Sequence, residues 1–245
     1  MRIMIRNRAL PILLGVLVGL VGCAAPEEDD AATSAPAALG SDAYRIYADL
    51  ARAEGADPRP GTVTVIGLRG LSVNGETHAT TFAKVFDDTL VVLRADGTVD
   101  RFAAATHPHF ATDESGPPDV DGDGARDVGI IRPGVFDVIP RDRPIAGQPT
   151  WQVTRGGKDG LPGWRDTNHD GVIDDAERAA SEARGDKLTA VLFHQGEGDA
   201  PAAIGCQVLP ASAMKAFVAS VGARSKFRYV LVEMTGRDDA GSLPR

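Results

Sequence analysis

The chain has 245 residues, with 34 Asp and Glu against 26 Lys and Arg and a formal net charge of −8. Such an acidic balance argues against a nucleic-acid-binding protein and against a basic membrane-binding surface. Aromatic residues make up only 5 % of the chain, so Val, Ile, Leu and Ala must supply most of the core.

Residues 1–22 have the pattern of an export signal. Arg2, Arg6 and Arg8 form a basic start, and the apolar run 9–22 is shorter than the roughly 20 residues of a membrane-spanning helix. The run ends in Leu20-Val-Gly-Cys23, which resembles the lipobox of bacterial lipoproteins. This resemblance implies cleavage before Cys23 and lipidation of that cysteine. An ordinary signal peptide or a membrane anchor is the alternative.

Cleavage would remove three arginines and lower the net charge from −8 to −11. Ala24 stands where an aspartate would favour the inner membrane, so the resemblance implies a periplasm-facing lipoprotein, at the outer membrane if the cell is diderm. The segment that follows, to residue 40, is rich in Ala, Pro and acidic residues. With Cys23 it is predicted to form a lipidated, disordered tether over 23–40.

From residue 41 the chain is predicted to fold. A helix is expected over 41–54, with Tyr44, Tyr47, Leu50 and Ala51 on one face, and residues 41–59 form this helix and a linker. Alternating apolar residues then predict strands at 62–68, 80–86, 89–94, 98–102, 134–139, 150–153, 188–194 and 227–233. Further helices are expected at 175–183 and 211–221. The prediction is one mainly β domain with a few helices (β-rich α+β) over residues 60–245.

A stretch of 12 residues at 166–177 matches the calcium loop of an EF-hand at every position. The predicted oxygen ligands are Asp166, Asn168, Asp170, the Val172 carbonyl, Asp174 and Glu177. The glycine-rich segment 156–163 cannot form an entering helix, so the site would be half an EF-hand inserted in a loop. It predicts structural Ca²⁺ as the cofactor. An acidic turn held by side-chain hydrogen bonds is the alternative.

A second acidic loop resembles the first. Asp119, Asp121, Asp123 and Asp127 occupy ligand positions, but Ile130 stands where the bidentate acid belongs. This loop is therefore a weaker metal site, and an acidic surface turn is the better interpretation. Either loop would brace the structure and not act as a switch.

The residues that point most strongly to chemistry are His194 and Cys206. A histidine ends an apolar run, and a glycine-preceded cysteine follows 12 positions later. A strand end and a returning loop can bring imidazole and thiol together, and the imidazole can then hold the sulfur as a thiolate. Lipidation of Cys23 would leave Cys206 without a disulfide partner. A buried, inert cysteine and a hydrogen-bonded surface histidine are the alternatives.

The stretch His194-Gln-Gly196 followed by Ala203-Ile-Gly205-Cys206 resembles the active-site motif of the L,D-transpeptidase catalytic domain. Looser similarity extends upstream through 65–69, 87–92, 129–135 and 164–166. The resemblance implies that family's β-sandwich or barrel fold, with peptidoglycan stem peptides as the partner.

The same resemblance implies roles for the residues. Cys206 would attack the carbonyl of the third stem-peptide residue, and His194 would move the proton. Amides around Gly205 and Cys206 would form the oxyanion hole. Transfer to an amine gives L,D-transpeptidation, and transfer to water gives trimming. Arg69, Arg132 and Arg165 are candidates to grip a substrate carboxylate, although each could pair with an acid instead.

Three departures from the motif keep another function open. Ala203 replaces a serine, Ile204 stands where many members have a second histidine, and Gln207-Val208 replaces an apolar–Arg pair. They fit a non-catalytic, calcium-braced envelope binding lipoprotein of the same fold, or a structural lipoprotein with acidic loops. In Thr106-His107-Pro-His109 the histidines could be a metal pair or part of a loop near the cleft.

Overall fold

The computed structural model describes residues 41–198 and 200–245. The signal segment 1–22, the lipidation site Cys23 and the rest of the tether lie outside the described residues, so those interpretations stay predictions. Over the two described ranges, no helix combines the length and the apolar character needed to cross a bilayer.

The described chain alternates short strands with three helices. The α-helices are α1 (Ser41–Ala53), α2 (Asp175–Arg184) and α3 (Ala211–Val221). The strands are β1 (Thr64–Arg69), β2 (Asp88–Leu93), β3 (Val99–Ala104), β4 (Gly129–Ile131), β5 (Gly134–Pro140), β6 (Trp151–Thr154), β7 (Leu161–Arg165), β8 (Lys187–Leu188), β9 (Leu192–Gln195), β10 (Gln207–Leu209) and β11 (Phe227–Glu233). The predicted mainly β, α+β class is confirmed.

Eight strands form one nearly closed sheet in the order β10-β9-β6-β5-β11-β1-β2-β3. The two outermost strands almost meet, because Ala105 and Val208 exchange two backbone hydrogen bonds of 2.9 Å. Most neighbours are antiparallel, but β1 pairs with β11 and β9 with β10 in parallel. A separate three-stranded sheet has the order β4-β7-β8.

Every residue of β1 is buried because the sheet is covered on both faces. Side chains alternate along a strand, so Val65 joins the core cluster that contains Phe217 of α3, whereas Ile66 joins the cluster that contains Tyr47 of α1. Helix α1 thus does what its apolar face predicts, and the large sheet is packed between α1 and α3.

A third, smaller core supports the two acidic loops. Its buried residues come from both loops' flanks and from an irregular segment: Phe82, Val128, Ile130, Trp164 and Ile173. The strand predicted at 80–86 is wrong, since that segment forms no strand. Phe82 instead packs on the loop 166–177, and its N–H donates to the Gly171 carbonyl at 2.8 Å. The apolar residues of 80–86 therefore reflect the packing of this segment on the loop and not the pairing of a β-strand.

Phe217→Ala tests the packing of α3 on the sheet. The ring is fully buried, and its centroid lies 5.7 Å from Phe102, 5.9 Å from Trp151 and 6.0 Å from Phe193. Deleting it leaves a cavity among aromatic rings, so we expect the free energy of unfolding to fall by about 3–5 kcal/mol in urea titrations. Lys215→Ala, on the exposed face of α3, should change it by no more than about 0.5 kcal/mol. Equal effects would contradict this packing.

Candidate active site

His194 lies near the end of β9 and is largely buried, with 7 % of its surface exposed. Its Nδ1 is 2.7 Å from the Gln195 carbonyl oxygen. A carbonyl can only accept, so this contact places the proton of the neutral ring on Nδ1 and leaves Nε2 as an acceptor. Burial lowers the pKa of His194, against a smaller opposing effect of the Gln195 hydrogen bond. The ring is therefore neutral at pH 7.

Cys206 immediately precedes β10 and is half-buried. Its Sγ lies 3.8 Å from the Ala190 carbonyl oxygen, and the Leu192 backbone N–H also reaches the sulfur. Burial raises the pKa of the thiol to about 11, although the Leu192 amide and the Arg141 charge act in the opposite direction. The sulfur is thus a neutral thiol in the free protein.

Strand pairing places His194 and the segment that contains Cys206 side by side. Val208 is the register partner of His194, and Cys206 stands two positions before Val208, just outside β10. His194 and Cys206 are therefore offset by one strand spacing and by two residues along the strand direction, which gives a separation of roughly 8 Å between their Cα atoms. Among the described contacts, no hydrogen bond joins thiol and imidazole. The predicted pair is adjacent in topology, but it is not a preformed thiolate–imidazolium pair.

The thiol lines a cleft of about 280 Å³. Its lining comes from Arg165 and from the segments 116–118, 188–191 and 204–206. His194 is not among the described residues that line this cleft. The cleft gives Cys206 access to a ligand in spite of its partial burial.

Gly205 has the backbone conformation that its position demands. Its φ is +134°, and a Cβ placed there would lie 2.7 Å from the Gly129 carbonyl oxygen. A side chain at 205 would therefore force the loop away from β4. Gly205 sets how closely the loop before Cys206 approaches β4, and the predicted oxyanion amides lie in this same loop.

Gln207 anchors the strand that follows the cysteine. Its Oε1 accepts a hydrogen bond of 2.6 Å from the Tyr229 hydroxyl, and both side chains are fully buried. Because β10 is an outer strand of only three residues, its register on β9 needs further support, and this side-chain hydrogen bond to β11 provides it. The sequence shows Gln207 only as a departure from a motif. Its contact to a residue 22 positions away is what sequence reasoning missed.

The loop before Cys206 is also held by His109. The His109 N–H donates to the Ala203 carbonyl at 3.2 Å, and its Nδ1 lies 2.6–2.7 Å from the carbonyl oxygen and amide nitrogen of Ala203. His107 instead lies 2.8 Å from Asp87 through Nε2. The two histidines therefore point to different partners, and a loop near the cleft describes them better than a metal pair.

Arg69 does not suit its predicted role of gripping a substrate carboxylate. The side chain is fully buried, and its guanidinium donates to Thr106 Oγ1 at 3.0 Å, the Thr106 carbonyl at 2.9 Å and the Ile131 carbonyl at 2.9 Å. It joins the end of β1 to the segment after β3 and to the last residue of β4. The buried Asp88 completes this network by accepting from Gly70 N–H and from Thr106.

The other two predicted arginines differ in position. Arg132 forms a half-exposed ion pair of 3.1 Å with Glu182 and lies over the Trp164 ring, away from the cleft lining. Arg165 does line the cleft, with 6 % of its surface exposed. It donates to the Asp127 and Lys187 carbonyls at 2.8 Å each, while its buried Nε has no partner. Of the three predicted arginines, all within the described residues, Arg165 alone lines the cleft beside Cys206.

The loop 166–177 is held by hydrogen bonds from its own backbone amides to its polar side chains. Asp166 Oδ2 accepts from Gly171 N–H, Asn168 Oδ1 from Asp170 N–H and Asp170 Oδ1 from Val172 N–H, each at 2.9 Å. Gly171 permits this turn with a φ of +80°. These contacts fit both predicted interpretations, a metal loop and an acidic turn.

The same loop also begins helix α2. Asp174 is the N-cap and accepts from Glu177 N–H at 2.8 Å, and Glu177 Oε2 accepts from Asp174 N–H at 3.1 Å. Glu177 Oε1 receives Thr167 N–H at 2.7 Å. Asp166 is fully buried, and its Oδ1 has no partner. Burial, with the nearby carboxylates of Glu177 and Asp170, raises the pKa of Asp166 to about 6.

The loop 119–127 lies beside it. His169 bridges the two loops, with Nε2 2.9 Å from Asp127 Oδ1 and Nδ1 3.6 Å from Asp123. Carboxylate oxygens of Asp119, Asp121 and Asp127 converge closely enough to share a cation. Both carboxylate oxygens of Asp119 also accept hydrogen bonds from backbone amides of the loop, one from Gly122 N–H and one from Gly124 N–H. A further convergence of His78 with Asp87 and Asp88 has no sequence signature, because it joins residues from separate segments.

Comparison with known proteins gives no relative on which to rest an assignment: no protein-family model, no curated protein and no solved structure matches this chain.

Proposed function

We propose that the protein is a lipid-anchored envelope enzyme that uses Cys206 and His194 for acyl transfer on peptidoglycan stem peptides. The observation that carries the proposal is a neutral imidazole, fixed through Nδ1 to the Gln195 carbonyl, on the strand next to a thiol that lines a cleft. The choice of substrate is supported by the motif around His194 and Cys206, and the location by the signal-like segment 1–22.

In this reaction the Cys206 sulfur attacks the substrate carbonyl while His194 Nε2 takes the thiol proton. The new C–S bond forms a tetrahedral intermediate, whose oxyanion is stabilised by loop amides at Gly205 and Cys206. Breaking the C–N bond leaves a thioester, and the imidazolium returns the proton to the departing amine. A second amine then yields a cross-link, or water yields a free carboxylate.

The free enzyme starts from the neutral pair. Burial raises the pKa of Cys206 and lowers the pKa of His194, so both shifts oppose a resting thiolate–imidazolium pair. Proton transfer then accompanies attack and does not precede it. A substrate bound in the cleft supplies the electrophile, which is the carbonyl carbon that the sulfur attacks.

Arg165 supports a substrate that carries a carboxylate. It is the cleft-lining guanidinium, and its buried Nε has no partner in the described structure. Stem peptides carry free carboxylates, which pair with guanidinium groups through charge-assisted hydrogen bonds.

A second candidate is a non-catalytic envelope binding protein of the same fold. The raised pKa of Cys206 and the absence of a thiol–imidazole hydrogen bond among the described contacts favour it. In that case the cleft would bind a peptide without forming a thioester. Covalent labelling of Cys206 by substrate separates the two candidates.

The pKa of the thiol predicts its reactivity toward iodoacetamide. With a pKa of about 11, roughly one thiol in ten thousand is ionised at pH 7. The alkylation rate of Cys206, followed by peptide mass spectrometry, should rise about tenfold per pH unit up to about pH 11. A synthetic peptide of residues 202–210 should instead level off near the ordinary thiol pKa. A plateau below pH 8 in the folded protein would contradict the neutral resting thiol.

Activity is tested with the full chain in detergent and purified muropeptides, with product masses as the readout. Cys206→Ser should abolish both the thioester adduct and the product. His194→Gln should slow product formation by about 10²–10⁴-fold because it removes the base. His78→Gln, a half-buried histidine with carbonyl partners outside the cleft, is the matched control and should keep the parent rate. Undiminished turnover by Cys206→Ser would end the enzyme proposal.

A further inference from the structure

Arg178 of helix α2 carries a guanidinium that the proposed reaction does not use. Its central carbon lies 4.6 Å from the centroid of the Trp164 ring, and its buried Nε has no hydrogen-bond partner. Within residues 41–198 and 200–245 its terminal nitrogens form no ion pair and no hydrogen bond either, although the chain has 34 Asp and Glu. A half-buried charge without a partner is costly, so an anion bound there would be stabilised.

The acid that stands one turn after Arg178 on the helix has other partners. Glu182 pairs with Arg132 at 3.1 Å, and its Oε1 also accepts the Trp164 indole N–H at 3.2 Å. The face of the Trp164 ring holds Arg178 through a cation–π contact, which uses none of the outward N–H groups. With respect to the described residues, those N–H groups are therefore available to a ligand.

Arg178 lines a pocket of about 160 Å³, here called the Arg178 pocket. Most of its other walls are apolar, and two hydroxyl groups complete the lining: Phe82, Ile130, Val172 and Ile173, with Thr80 and Thr235. Among the described lining residues there is no acid. The hydrogen bond of 2.8 Å from Phe82 N–H to the Gly171 carbonyl joins two of the walls. Val172 leaves 38 % of its surface exposed, so an apolar wall is open to solvent.

We propose that the Arg178 pocket binds a small apolar carboxylate, with the carboxylate on Arg178 and the apolar group against Phe82, Ile130 and Ile173. Guanidinium and carboxylate match in shape and form paired, charge-assisted hydrogen bonds. An apolar cavity of roughly 150 Å³ holds a benzene molecule, so this pocket suits an aliphatic group of about four to six carbons. The described linings of this pocket and of the Cys206 cleft share no residue, and the proposal does not depend on acyl transfer.

The two tryptophans of the chain provide the readout of binding. Each indole N–H gives one signal in a ¹H–¹⁵N spectrum of the full chain in detergent, and Trp164→Phe assigns them. 3-Methylbutanoate should shift the Trp164 signal with a Kd on the order of millimolar, because Arg178 lies on that ring. The Trp151 signal should not move, since that ring is fully buried and its N–H donates to the Ser225 carbonyl. 3-Methylbutanamide has the same shape without the charge and should bind at least about tenfold more weakly.

Two variants test the residues of the pocket. Arg178→Gln removes the charge and should raise the Kd of 3-methylbutanoate at least about tenfold, whereas Arg178→Lys should recover part of the affinity. Arg184→Gln is the matched control, because it is the same change on the same helix at an arginine that already pairs with Asp186 at 2.8 Å, and it should bind like the parent. Val172→Glu places a second carboxylate on an exposed wall and should abolish binding by repulsion, which keeps the test valid if Arg178→Gln does not fold.

Three outcomes would overturn the proposal: an unmoved Trp164 signal with 3-methylbutanoate, equal binding of the amide, or a parent-like Kd in both Arg178→Gln and Val172→Glu. The dipeptide glycylvaline separates two sources of the ligand. If it binds as tightly as the free acid, the pocket accepts the carboxy terminus of a peptide, and if only the free acid binds, the ligand is a free small acid. Failure of the acyl-transfer proposal is recognised separately, since it changes the muropeptide products and not the Trp164 signal.

Discussion

The parallel pairing of β9 with β10 is the constraint on which the candidate site depends. It fixes Cys206 relative to His194, yet β10 has only three residues and lies at the end of the sheet order. So short a pairing needs support from elsewhere, and Gln207 supplies it through the buried hydroxyl of Tyr229. The two hydrogen bonds between Ala105 and Val208 secure the other side of the strand. The position of the thiol is thus set by the closure of the whole sheet.

Much of this arrangement could be predicted from local sequence, and the reason is periodicity. Helix α3 and strand β11 have the predicted bounds because each carries an unbroken apolar pattern of the right period. Strands β4, β7 and β10 were not predictable in this way. They are three to five residues long, and β7 contains Pro162 and Gly163, so their existence depends on partners far along the chain.

The candidate site, too, was predictable in part: local sequence indicated its residues but not their environment. The histidine, the cysteine and the acidic loop stand out in the sequence because their residue types and spacing carry chemistry. Their environment does not, because desolvation is a property of the packed fold. Burial moves the pKa of Cys206 up and that of His194 down, which replaces the predicted ion pair by a neutral one. Likewise, nothing local shows that Arg69 lies buried against Thr106 and Ile131 while Arg165 faces the cleft.

The contact between Gly205 and Gly129 has a consequence for how this site can vary. Here two backbones touch with no side chain between them, so a methyl group at position 205 would meet the Gly129 carbonyl oxygen. This contact therefore limits how closely the loop before Cys206 can approach β4. A homologous chain could enlarge residue 205 only by displacing β4, and with it the neighbouring strand that leads into the acidic loop. Because the clash is with a backbone oxygen, no change of side chain at position 129 could relieve it, and a larger residue at 205 requires a shift of the main chain.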